Sequence, residues 1–144
     1  MKKIIAATLF ASVFASAGAY AAPTTIALAD GYNTIGDVAT DINLARQYAF
    51  TAIASRAGFI KNDFEGTLSA NVIAGLVDDA GNNRMGVVAG SNKGYVVFTG
   101  SSVGGSVAQC GKPAAKSTDV NLAAKFVVTA TLNLANANGC NRTL

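Results

Sequence analysis

At 144 residues the chain is long enough for one domain and short for two. It has no histidine and two widely separated cysteines, which excludes imidazole catalysis, histidine-based metal sites and a C-x-x-C redox pair. Only 13% of the residues are charged, and the net charge of +3 owes much to Lys2 and Lys3, so the basic balance is no nucleic-acid footprint.

The chain opens as an export signal. Met1-Lys2-Lys3 is basic, Ile4 to Phe14 is apolar, and Ala19-Tyr20-Ala21 has the small-x-small pattern of a signal-peptidase site. Residues 1–21 are therefore expected to be removed after Ala21, which lowers the eleven basic residues to nine against eight acidic ones. The mature chain is then close to neutral, with lysines and arginines scattered singly and no apolar stretch long enough to span a membrane. A low-charge surface rich in Ala, Gly, Asn, Thr and Ser suits a protein packed against copies of itself or displayed outside the cell.

Residues 22–33, APTTIALADGYN, read either as an extended arm or as a first edge strand. From Thr34 to Gly58 a helical period follows: Ile35, Val38, Ile42, Ala45, Ala49 and Ala52 alternate at spacings of three and four. Thr34 is placed to cap this helix, Arg56 lies near its negative end, and Gly58 suits its C-terminus. Leu44, Tyr48 and Phe50 widen its apolar surface and are the candidate interface with a partner. Phe59 to Gly66 is polar; its Lys61, Asn62, Asp63 and Glu65 lack the ligand spacing of a calcium loop and read as a solvated connection.

Leu68 to Val77, Met85 to Ala89 and Tyr95 to Thr99 are expected strands. The turns between them are Asp78 to Arg84 and Gly90 to Gly94, which makes an antiparallel meander. Gly100 to Cys110 is Gly- and Ser-rich and lacks the Lys-Ser/Thr ending of a phosphate loop. Phe126 to Leu134 alternates as a last, half-buried strand would, and Asn136 to Cys140 is a turn. In an exported chain Cys110 and Cys140 are most simply one disulfide, closing a loop of about 30 residues that contributes roughly 3 to 4 kcal/mol on the chain-entropy view.

The expected fold class is thus α+β: one N-terminal helix packed on an antiparallel sheet of about four strands, with a C-terminal disulfide-closed loop. This order of parts resembles the globular head of bacterial type IV pilins and pseudopilins, over residues 34–144. The resemblance implies that Cys110 and Cys140 bound a loop on the outer surface of a filament, and that Thr34 to Gly58 corresponds to the head-domain part of the family's long helix. That family has a leader ending in Gly and an apolar stalk helix where this chain has a secretory signal. The resemblance therefore implies a head domain assembled with a separate core subunit, or secreted alone.

The expected function is a structural subunit of a cell-surface or extracellular filament, with self-association or a filament core subunit as partner and no cofactor, metal or catalytic residues. The competing reading is a monomeric periplasmic or secreted binding or inhibitor module, with Gln109, Lys112 and Lys116 as contacts. An enzyme is the least expected class, because no spacing of Ser, Lys or carboxylates singles out a constellation.

Overall fold

Tyr48 and Phe50 are buried while Gln47 and Thr51 beside them are exposed, an alternation of period two that belongs to a strand. The structure, a computed structural model, describes residues 22–36, 44–115 and 125–143. Eight strands run through them: β1 (Thr24–Ala27), β2 (Gly31–Ile35), β3 (Arg46–Thr51), β4 (Phe64–Leu68), β5 (Val72–Asp79), β6 (Arg84–Ser91), β7 (Val97–Ser101) and β8 (Ala108–Gln109). They form a three-stranded sheet in the order β1-β3-β4 and a five-stranded sheet in the order β2-β5-β6-β7-β8.

The expected α+β fold is overturned: where the N-terminal helix was expected, the chain finishes β2, continues as β3 and makes a 3-10 turn at Ala54–Arg56. Three features explain the failure of the helical period. Gly36 holds φ at +88°, and Ser55 and Arg56 stand at φ 59° and 55°, all outside helical space. The stripe leaned on Ala45, Ala49 and Ala52, and a small residue satisfies any period when it is abundant. Arg46 to Thr51 is RQYAFT, whose aromatic and β-branched members favour a pleated surface once strands lie on either side. The rest of the expected stripe, Val38 and Ile42, lies outside the described residues, as do the expected signal at 1–21 and Lys116.

The antiparallel meander of β5, β6 and β7 is present, with Gly75 opposite Val88 and Val88 opposite Thr99. Asn83 at φ 52° turns the β5–β6 hairpin, and the Asp79 carboxylate accepts from the Asn82 N–H at 3.0 Å and the Asn82 side-chain amide at 2.8 Å. The region 22–33 supplies strands to both sheets. β1 runs parallel to β3 and β2 runs antiparallel to β5, so the chain changes sheets between them. Asn33, buried at that corner, accepts from the Ala29 N–H and donates to the carbonyls of Ala29 and Gly31.

Successive residues of β5 and β6 serve opposite faces. Leu76 and Val87 join Leu28, Ile35, Tyr48 and Phe50 in the core between the two sheets. Ile73 and Val88 join Val97, Cys110 and Val127 in a second core on the other face, under the C-terminal segment. The molecule is therefore layered: small sheet, large sheet, C-terminal lobe.

The expected last strand is a second correction. Phe126 to Leu134 forms a lobe with a 3-10 turn at Thr129–Thr131 and a single bridge from Leu132 to Cys140. The Thr131 hydroxyl donates to the Phe126 carbonyl at 2.6 Å, a local closure that competes with strand pairing. Gly75 makes room for this lobe's anchor, because a Cβ there would run into the Tyr32 ring and hydroxyl. That hydroxyl donates to the Val127 carbonyl at 2.9 Å, linking β2 across the sheet to the lobe.

Candidate functional site

The Cys110–Cys140 disulfide is formed, with Cys110 fully buried and Cys140 at the rim. Arg142 fastens the loop it closes. Its guanidinium donates to the carbonyls of Cys110 at 2.9 Å and Lys112 at 3.1 Å, and lies 3.9 Å from the centre of the Phe126 ring. Lys112 on this loop and Gln109 beside it in β8 are exposed, and the Gln109 amide is turned inward to the Gly111 carbonyl.

The three candidate interface residues do not share a face. Leu44 is 65% exposed, whereas Tyr48 and Phe50 are 6% and 5% exposed and belong to the core between the sheets. Phe64 of β4 stacks on Phe50 with ring centroids 4.5 Å apart. Asp63 accepts from the Ala52 N–H at 2.9 Å, and Glu65 lies 3.4 Å from the Gln47 amide across β3 and β4, so this acidic pair serves the edge of the small sheet.

Asp78 is the fully buried carboxylate of β5. It accepts from the backbone N–H groups of Phe59 at 2.5 Å and Ile60 at 3.3 Å, and pins the connection between β3 and β4 to the large sheet. Gly58 permits this approach, since a Cβ there would overlap the carboxylate. Asp78 is thereby committed to structure.

An open groove of about 650 Å³ lies between the β5–β6 hairpin and the C-terminal lobe, bordered by Asp30, Asp79, Arg84, Asn133 and Asn141 among others. Its polar groups are engaged in turn chemistry: Asp30 accepts from the Ala80 N–H, Asn133 from the Ala135 N–H, and the Asn141 amide donates to the Ala130 carbonyl. Hydrogen bonds from Asn82 hold the exposed Asp79 carboxyl below its ordinary pKa, with Arg84 adding to the effect. Among the described residues no group of three or more His, Cys, Asp or Glu is gathered to hold a metal ion.

The large sheet also presents an apolar margin. Phe98 on β7 is 45% exposed and Val107, beside β8, is 70% exposed. Both lie toward the face that the small sheet covers further along: a Cβ at Gly100, two residues from Phe98, would meet Val107 and Val87. Sequence reading placed Phe98 inside a strand and missed its exposure, because a period of two names two faces without saying how far a covering layer reaches.

Among the described residues no helix is long and apolar enough to cross a membrane, and this together with the disulfide is compatible with an extracellular or periplasmic protein. No family model, curated protein or solved structure matches the chain.

Proposed function

We propose that this protein is an exported structural subunit that works by associating with other protein chains, in a cell-surface or extracellular filament. The apolar margin at β7 and β8 carries the reading. Phe98 and Val107 are exposed at 45% and 70% on a chain whose charged residues are few, and a neighbouring subunit is the natural cover for such a margin. The disulfide suits life outside the cytoplasm, and Arg142 and the disulfide together tie the lobe to the opposite face of the same sheet.

The test is size-exclusion chromatography and negative-stain microscopy of the oxidised mature protein, beside the double variant Phe98→Asp, Val107→Lys. Assemblies are expected from the wild type, and the double variant is expected to keep its melting temperature within a few degrees and lose them. A wild type that stays monomeric at high concentration and binds no filament component would overturn the reading.

The polar groove at Asp30, Asp79 and Arg84 favours a second reading, a monomeric binding module for a polar partner. Recovery from periplasm of a single stoichiometric partner, lost in Arg84→Ala, would select it over the first.

A further inference from the structure

We propose that β1 pairs with the β1 of a second copy of this chain, antiparallel and centred on Ile26, so that two three-stranded sheets become one. This deepens the association reading by naming a partner and a surface, and it rests on that reading.

The phase of β1 decides which backbone groups face outward. β1 is parallel to β3, and the Leu28 N–H donates to the Thr51 carbonyl at 2.9 Å. In a strand alternate residues bond to the same side, so Thr24, Ile26 and Leu28 turn their N–H and C=O toward β3. Thr25 and Ala27 turn theirs to the edge that no described strand occupies, and both residues are exposed. A two-fold axis through Ile26 sets Thr25 opposite Ala27 of the second copy, and Ala27 opposite its Thr25. Each such pair exchanges two hydrogen bonds, which satisfies all four outward groups.

The ends of this ladder are already closed. In the same register Pro23, which has no N–H, stands opposite Ala29, whose N–H and C=O are both taken by Asn33. Residue 22 stands opposite Asp30. Cleavage after Ala21, expected from the sequence, would put an ammonium group there, so that opposite charges face each other on both sides of the axis.

The side chains agree. Ile26 is half-buried at the rim of the core between the sheets, and in the proposed register it meets Ile26 of the second copy in the non-hydrogen-bonded position, where side chains approach most closely. The two cores would become continuous through this pair. β1, TTIA, carries no charge and no proline within it, the features by which edge strands discourage pairing; β4 carries Glu65.

Disulfide trapping tests the register. Ile26→Cys and Thr24→Cys are each prepared with the Cys110–Cys140 bond formed, oxidised, and run on non-reducing gels. Ile26→Cys is expected to give a covalent dimer, since its two copies face each other at about 5 Å between Cβ atoms. Thr24→Cys is expected to give none, since its two copies would stand roughly 14 Å apart at about 3.4 Å per residue. Ala27→Pro removes outward donors only, and is expected to weaken the dimer at least tenfold by sedimentation while its melting temperature stays close to that of the wild type. Equal trapping at both positions, no trapping at Ile26, or unchanged sedimentation of Ala27→Pro would overturn the β1 contact. If assemblies nonetheless persist by microscopy, the association reading stands without it; a monomer that forms no assemblies overturns both.

Discussion

Single residues in this protein connect layers that are distant in sequence, and their failure should be felt at a distance. Asp78 is buried with two backbone donors from the Phe59–Ile60 connection. Asp78→Ala leaves both N–H groups without an acceptor and is expected to cost about 2 to 4 kcal/mol, read as a lower urea midpoint with an unchanged m-value. Gly58→Ala should cost roughly 1 to 3 kcal/mol through overlap with the same carboxylate.

Tyr32 makes the matching link on the other face, and burial pushes its phenol above the ordinary value. The unfolded chain then loses this proton first as pH rises, so the stability held by the neutral phenol is intact below about pH 10 and declines as pH climbs through the folded value. Melting temperatures between pH 8 and 11 should fall more steeply for the wild type than for Tyr32→Phe, whose own cost near neutrality is about 1 kcal/mol for the lost hydrogen bond. Equal slopes would remove Tyr32 from the alkaline limb.

At the scale of elements, the C-terminal lobe depends on its staple. It offers short 3-10 turns and one bridge to Cys140, with Val127, Phe126 and Leu132 as its apolar contribution to the core. Replacing Cys110 and Cys140 by Ser is expected to cost about 3 to 4 kcal/mol, given their separation of 30 residues, and to loosen the lobe before the sheets. Calorimetry with and without reductant measures the first effect, and hydrogen exchange at Thr131 and Leu132 against Leu76 and Val88 measures the second. The strands of the meander were legible because each is closed by nearby turn residues, Asp79, Asn82 and Asn83 at the first turn and Ser91 to Gly94 at the second. β3 was not legible as a strand, because its neighbour β1 pairs with it in parallel from 24 residues away and no local window contains that partner.

For the whole molecule, the two proposed contacts are of different kinds. A β1 pair is isologous and closes on itself, whereas the margin at Phe98 and Val107 lies at the β7–β8 edge of the large sheet. A filament needs at least one contact that does not close, so the two together predict dimers as the building unit. In Phe98→Asp, Val107→Lys the dimer trapped through Ile26→Cys should survive while longer assemblies are lost; loss of both would show that the two surfaces act as one. The candidate site was legible in part: the disulfide followed from two cysteines in a chain expected to be exported, but neither the groove nor the apolar margin did. Asp30, Arg84 and Asn141 meet only after the hairpin and the lobe are stacked, and Phe98 is exposed only because the small sheet stops short of it.

Sequence alone determined the cysteine pairing, the meander and the absence of histidine chemistry, since each depends on composition or on residues within one turn of each other. Tertiary structure decided the rest. Whether Tyr48 and Phe50 lie on a helix face or in a sheet, which sheet β1 joins, and which apolar side chains are left uncovered are all set by pairing between distant segments. An Ala-rich stretch is compatible with either period until a strand on each side of it selects one.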